Sequence, residues 1–247
     1  MMKIALFGYG RMGREIERMA RETGHTVVAT FDPKASGATA ARATADLLEG
    51  ADVCIDFSLA NAVLSNLEAA CQAGKPVAIG TTAWEADLPR ARQLVASAGT
   101  GMIHAPNFAI GVQTLFHVVA ECARTLDKLT DCDASIFETH HRGKADSPSG
   151  TAKRLARVLI DNLRAKDRIV TGDLQRAIAP NELHVASQRV GVDPGTHVVT
   201  FDLGDEVLTI RHAARSRAIF ARGALKAAEW IVGRKGVYEF TDMLFPK

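Results

Sequence analysis

The chain has 247 residues, 47% of them hydrophobic and 23% charged, with a formal net charge of +2. That length supports one large core or two modest ones, and the composition is that of a globular protein. The near-balanced charge, with no basic run interleaved with aromatics, argues against a nucleic-acid surface, and no apolar run approaches the ~18 residues of a membrane span. Four cysteines, Cys54, Cys71, Cys122 and Cys132, are scattered without a C-x-x-C pair. They read as reduced thiols, and no signal-like segment precedes the first motif, so the expectation is a cytoplasmic protein, neither exported nor membrane-bound.

Residues 2–7 form a short apolar run that reads as a strand. The loop Gly8-Tyr9-Gly10-Arg11-Met12-Gly13 follows at once, and then helical periodicity to Thr23 with Gly24 as a stop. Residues 26–31 read as a second strand, ending at Asp32. A G-x-G-x-x-G loop between strand and helix lets backbone approach a pyrophosphate at the helix N-terminus, and an acid about 20 positions on reaches the ribose hydroxyls. This spacing predicts dinucleotide binding by residues 8–13 and Asp32. An acidic residue repels a 2′-phosphate, so NADH is favoured, while Lys34 and Arg11 offset that repulsion and keep NADPH usable.

Residues 53–57 read as a third strand and 61–73 as a helix. A fourth strand, 77–79, runs into Gly80-Thr81-Thr82, and a fifth, 101–104, into Ala105-Pro106-Asn107-Phe108. Strands alternating with helices imply a Rossmann-like, doubly wound parallel sheet, whose ligands sit at the carboxyl ends of the strands. Those two turns therefore join the cofactor-binding edge.

A long, largely apolar helix is expected over residues 111–129, and residues 133–139 alternate as a half-buried strand does. Residues 138–152 then read E-T-H-H-R-G-K-A-D-S-P-S-G-T-A. His140 and His141 are consecutive, so on a continuing strand they point to opposite faces, which argues against a shared metal ion and for two different tasks. Lys144 follows Gly143 and can turn back toward either histidine. Asp146-Ser147-Pro148 makes a turn, and Ser149 is a good N-cap for a helix carrying Leu155, Leu159 and Leu163 on one face. The backbone N–H groups of Ser149, Gly150 and Thr151 can cradle a carboxylate or phosphate. Two histidines, an arginine, a lysine and an open helix start within a dozen residues predict a negatively charged ligand and no metal.

A polar linker spans residues 164–180, and three candidate strands follow at 184–190, 197–203 and 207–212. The short turns between them suggest an antiparallel sheet. A last helix covers residues 216–232. The expected division is a dinucleotide-binding domain, 1–107, completed by 213–247, and an α+β substrate-binding and oligomerisation domain, 108–212.

With these motifs in place the chain resembles the 4-hydroxy-tetrahydrodipicolinate reductase (dihydrodipicolinate reductase) family over nearly its whole length. The resemblance rests on residues 8–13, Asp56-Phe57-Ser58, Gly80-Thr81-Thr82, Ala105-Pro106-Asn107-Phe108, H-H-R-G-K-A-D-S-P-S-G-T-A at 140–152, R-V-G at 189–191 and G-T-H-V-V at 195–199. It implies NAD(P)H-dependent reduction of a cyclic imine dicarboxylate in diaminopimelate and lysine biosynthesis, by a homotetramer. By resemblance His140 and Lys144 are the catalytic proton donors, and His141, Ser149, Gly150 and Thr151 hold the substrate. The nicotinamide would lie near Thr81, Thr82 and Asn107. The chain departs from the family pattern in a glycine loop one residue shorter than many members carry and in Ala109 where serine is expected. Two other readings are an aspartate- or homoserine-type dehydrogenase, which leaves H-H-R-G-K without a reason, and a non-catalytic NAD(H)-sensing module.

Overall fold

A computed structural model describes residues 1–129, 132–172 and 174–246. In chain order the first elements are β1 (Lys3–Phe7), α1 (Arg11–Glu22), β2 (Thr26–Phe31), α2 (Ala45–Leu48), β3 (Val53–Asp56) and α3 (Val63–Gln72). Next come β4 (Val77–Ile79), α4 (Leu88–Ala98), β5 (Gly101–His104), α5 (Ile110–Leu129), β6 (Asp133–His140) and α6 (Gly150–Asn162). Then follow β7 (Arg168–Thr171), β8 (Glu182–Arg189), β9 (Thr196–Asp202), β10 (Val207–Ala213), α7 (Ala218–Ile231), β11 (Gly236–Glu239) and α8 (Phe240–Leu244). The chain divides into two compact units, Met1–Ile110 with Ala218–Lys247, and Gly111–Arg217.

The first unit is built on a six-stranded parallel sheet in the order β11-β5-β4-β3-β1-β2. Its central strands are covered on both faces, which is why β1 reads as an unbroken apolar run. Ile4 and Leu6 pack on one face with Ile16, Met19 and the alanines of α7, while Ala5 and Phe7 pack on the other with Leu67, Ala70, Ala91 and Val95 of α3 and α4. Because every strand points the same way, the turns after β1, β2, β3, β4 and β5 all emerge at one edge.

The second unit holds a mixed sheet in the order β10-β9-β6-β8-β7. This corrects the expected antiparallel run. β8 and β9 are consecutive in sequence and carry a turn-like link, yet they do not pair: β6 lies between them, parallel to β8 and antiparallel to β9. The link instead crosses the end of β6, where Asp193 O accepts from His141 N at 2.8 Å and Gly191 O accepts from Arg142 N at 3.2 Å. Part of the expected linker is strand β7, an edge strand with no residue fully buried and so no alternation to read.

Along β6, Ala134, Ile136, Glu138 and His140 face the core, and Ser135 and Phe137 face outward. The core face is covered by α6 through Leu155, Ala156 and Leu159. Two polar residues, Glu138 and His140, thus continue an apolar stripe into the end of the strand.

Candidate active site

In the first unit the glycines divide by task. A Cβ at Gly8 would stand 2.3 Å from Phe57 O, and one at Gly13 2.2 Å from Gly8 O, so both are held to glycine by the tight fit of strand, loop and helix. A Cβ at Gly10 would meet nothing within 4 Å. The exposed backbone at Gly10, ahead of the first turn of α1, is a cradle that fits a pyrophosphate. Arg11 is exposed and Met12 half-buried beside it.

Asp32 sits at the end of β2. Its Oδ2 accepts from Tyr9 N at 2.9 Å, and its Oδ1 from Lys34 N and Ala35 N at 2.8 and 3.0 Å. The backbone N–H groups of Lys34 and Tyr9 hold its carboxyl below the usual range, so a fixed negative charge stands where a ribose would be read. The Arg14 guanidinium lies 4.7 Å from the Tyr9 ring centroid and donates to Ser36 O at 3.3 Å, placing a cation beside the same loop.

The later turns are tied together by Asp56, which is wholly buried. Its Oδ1 accepts from Ser58 N, Ser58 Oγ and Thr81 Oγ1, and its Oδ2 from Asn66 Nδ2. Gly80 is buried against the Phe57 ring, and Thr82 is exposed. Ala105 N donates to Ile79 O and Ala109 N to Asn107 Oδ1, while Pro106 is exposed. Phe108 is a core residue, its ring 4.7 Å from that of Phe240, so only its backbone can serve a ligand.

In the second unit β6 ends at His140, whose side chain is 9% exposed; His141, next in the chain, is half-buried. Glu138, completely buried, lies two residues before His140 on the same face. Its Oε2 is 2.6 Å from His140 Nδ1 and 3.8 Å from His197 Nε2. Its Oε1 accepts from Ser149 N at 3.1 Å and from Arg189 Nη2 at 2.9 Å. Burial works to raise the Glu138 carboxyl, but the hydrogen bonds, led by that of Ser149, overcome it and hold the group at about 2. Burial lowers His140, Glu138 opposes that, and Lys144 and Arg189 add to it, with lowering the outcome. His197 is pushed down to about 4, by burial first and then by His140.

Lys144 Nζ donates to Asp146 Oδ1 at 2.7 Å, and Lys144 N to His141 O. Ser149 is the N-cap of α6, its Oγ accepting from Ala152 N at 3.2 Å, and the same Oγ lies 3.1 Å from His197 Nε2. Ser149 therefore spends both its N–H and its hydroxyl inside the protein. The N–H groups of exposed Gly150 and half-buried Thr151 remain at the open helix start.

The structure thus gathers His140, His141, Lys144, Ser149, Gly150 and Thr151 at one end of the second sheet. Sequence reasoning assigned no task to Glu138, Arg189 or His197. For Glu138 the signal was available, since residues two apart on a strand share a face. Arg189 and His197 lie on neighbouring strands and carry no local signal. Glu138, His140 and His197 are also metal-ligand types within 4.8 Å of one another. However, the Arg189 guanidinium and a backbone N–H already occupy one carboxylate oxygen, and a cation already in contact with the carboxylate opposes a dication there. A cleft of about 870 Å³ beside Lys166 and Glu182 lies at the other end of β6 and contains none of the expected site residues. Lys166 there is anchored to Pro180 O, Glu182 O and Asp133.

A parallel dinucleotide-type sheet in one unit and a cationic, helix-capped strand end in the other define a nicotinamide-dependent oxidoreductase of two units. Residues 2–108 match the family described as dihydrodipicolinate reductase, N-terminus, and residues 111–244 the one described as dihydrodipicolinate reductase, C-terminus. A 4-hydroxy-tetrahydrodipicolinate reductase of Christiangramia forsetii is 34% identical over 244 residues, covering 98% of each chain. One of Natronomonas pharaonis is 38% identical over 240 residues, covering 94% of this chain and 96% of its own. The fold is also that of a dipicolinate-bound dihydrodipicolinate reductase from Paenisporosarcina sp. TG-14, with a TM-score of 0.80 at 22% identity, over 98% of this chain and 99% of that one. The chain belongs to this family of 4-hydroxy-tetrahydrodipicolinate reductases, NAD(P)H-dependent oxidoreductases of diaminopimelate and lysine biosynthesis.

Proposed function

We propose that His140 and Lys144 carry the proton transfers of the reduction, and that His141 with the N–H groups of Gly150 and Thr151 holds a carboxylate of the substrate. The observation that carries this reading is the convergence of a buried, carboxylate-held imidazole, an ion-paired lysine and an unfilled helix start at the end of one strand. A dicarboxylate needs such donors, and a ring that accepts hydride needs a proton from a neighbouring group. Ser149 contributes by shaping the helix start, since its own N–H and hydroxyl are engaged with Glu138 and His197.

The reduced nicotinamide, when bound, supplies the hydride. Residues 8–13 would take its pyrophosphate, Asp32 its adenosine ribose, and Thr81, Thr82 and Asn107 the nicotinamide end. The carboxylate of Asp32 favours NADH, and Arg11 and Lys34 leave NADPH usable.

The open face of the second sheet, with Phe137 43% exposed at its centre, favours a homotetramer assembled through that sheet; a single-chain mass by light scattering would remove this part. Four free thiols and the lack, among the described residues, of any helix long and apolar enough to cross a membrane suit a cytoplasmic enzyme. Secretion of the native protein into an oxidising compartment would contradict that.

The test is cofactor oxidation with freshly generated 4-hydroxy-tetrahydrodipicolinate. His140→Ala and Lys144→Ala should each lose roughly 10²- to 10⁴-fold in kcat while binding NADH as the unaltered protein does. Rates within a few-fold of the unaltered enzyme would reject the two assignments.

A further inference from the structure

The two ring nitrogens of His140 face different neighbours. Nδ1 is the buried one, 2.6 Å from Glu138 Oε2, close enough for an ion pair though off the line of an ideal hydrogen bond. Nε2 faces Gly195, where a Cβ would stand only 2.8 Å from it. Gly195 has φ +144 and is pinned by Asp193, whose Oδ1 accepts from Gly195 N at 2.7 Å and whose backbone O accepts from His141 N. The loop that bridges β8 and β9 thereby keeps a side-chain-free space beside Nε2.

The carboxylate on the other side of the ring is fixed. Arg189, from β8, donates from Nη2 to Glu138 Oε1 and also, at 2.6 Å, to Asp146 O, so one guanidinium ties the carboxylate to the turn that carries Lys144's partner. Ser149 N holds the same oxygen from the helix start. His197, from β9, lies edge-on to His140 at 5.1 Å between ring centroids and meets Ser149 Oγ. An ionised carboxylate with only its Oε2 uncommitted accepts a hydrogen bond and donates none.

We propose that Glu138 is the positioning residue of this site: it takes the Nδ1–H of His140, fixing the ring in the tautomer whose lone pair is on Nε2, and Arg189, Ser149 and His197 hold Glu138 for that task. The inference rests on the assignment of His140 to proton transfer and states which nitrogen does it. His140 rests as a neutral ring; Nε2 takes up a proton from solvent, the positive charge it then acquires stands against Glu138, and that Nε2 proton is the one delivered to the substrate. This is the division of labour of a carboxylate-oriented imidazole, reached on a mixed sheet. Glycine at 195 belongs to the same device, because a methyl group there would occupy the approach to Nε2.

The groups that set the charge of His140 come from every neighbouring element: Glu138 on its own strand, Arg189 on β8, His197 on β9, and Lys144 with Asp146 in the following turn. His212 and Asp193 act on it through His197. Of these only Glu138 both touches the ring and favours its protonated form.

The test is the long-range ¹H–¹⁵N imidazole spectrum of the full-length protein near neutral pH, with His140→Ala to assign the resonance, together with kcat–pH profiles of Glu138→Gln and Glu138→Asp. Unaltered protein should show His140 protonated at Nδ1 and bare at Nε2. Glu138→Gln should shift the ring toward the Nε2–H form, lose roughly 10²-fold in kcat with the KM for NADH unchanged, and move the alkaline limb of kcat to lower pH. Glu138→Asp, which keeps the charge, should recover part of the rate. An Nε2–H ring in the unaltered protein overturns the proposal whether or not any variant folds, as does a Glu138→Gln enzyme within threefold of the unaltered rate. If the spectrum is as expected but His140→Ala still turns over, the positioning stands and the proton-transfer assignment is what fails.

Discussion

Each unit buries one carboxylate at or near the C-terminal end of a core strand, and the two are treated oppositely. Asp56, closing β3, is met only by neutral donors, Ser58, Thr81 and Asn66, and burial raises its pKa. Glu138, near the end of β6, has a guanidinium on one oxygen and a histidine against the other, and is held at about 2. Both side chains are shut off from solvent, yet burial prevails at Asp56, while at Glu138 the hydrogen bonds, led by that of Ser149 with Arg189 adding to it, prevail over burial. Asp56 is a clasp that fixes the turns carrying Ser58 and Thr81. Glu138 is a negative charge against an imidazole, which is what the proton transfer proposed for His140 requires beside it.

Neutral isosteres give the largest separation between the two. Glu138→Gln removes the countercharge of a largely buried Arg189, and the second unit should lose about 3 kcal/mol. Asp56→Asn keeps an acceptor toward Ser58 and Thr81 and disturbs only the Asn66 contact, so the first unit should lose about 1 kcal/mol. Because a chain of two units need not unfold in one step, the measurement is amide exchange followed separately on β6 and β3 under native conditions. Equal losses in the two units would end the distinction.

Acid should separate the units next. His197 falls to about 4 from an ordinary 6.5, so its contribution is whole above 6.5 and is lost as pH falls from there through 4. Glu138, at about 2 against 4.5, adds a second loss below 4.5. Asp56 runs the other way: a raised carboxyl stabilises most at low pH, and that contribution fades as pH rises from 3.8 through its folded value. Between pH 7 and 4, protection against exchange, corrected for the intrinsic rate, should fall more at β6 and β9 than at β3; an equal fall in both sheets would show that His197 does not set the acid response.

How much of this could be read beforehand depends on how local each signal was. β1, the glycine loop and α1 are adjacent in sequence, so an apolar run, glycine spacing and helical periodicity were enough to expect them. Ser149 as a cap was equally local, a short polar residue at the start of a helix. The alternation of β6 was legible too, and with it the shared face of Glu138 and His140. The order of the second sheet was not, because Val192-Asp193-Pro194-Gly195 has hairpin-like composition and nothing within it says that another strand intervenes. Arg189 and His197 reach Glu138 only through that order. β7 lacks a buried face, and β11 is a short strand added beside β5 by pairing from the far end of the chain, so neither carried a periodic signal.

The smallest expected effect concerns a third carboxylate, Asp32, which is partly exposed and therefore lies outside the contrast of buried groups. Its charge is kept by backbone N–H groups rather than by a cation, so it is a structural acceptor and, in the role proposed for it, a repulsive charge toward a 2′-phosphate. Asp32→Asn separates these two functions. The amide oxygen can still accept from Lys34 and Ala35, while the contact with Tyr9 N is weakened and the charge is gone. With Arg14 and Lys34 nearby and no longer opposed, the affinity for NADPH relative to NADH should rise about tenfold, equivalent to roughly 1.4 kcal/mol of relieved repulsion. Titration of each cofactor against the variant measures this directly. If both affinities fall together, Asp32 acts mainly through the loop it closes, and its charge does not discriminate between the two cofactors.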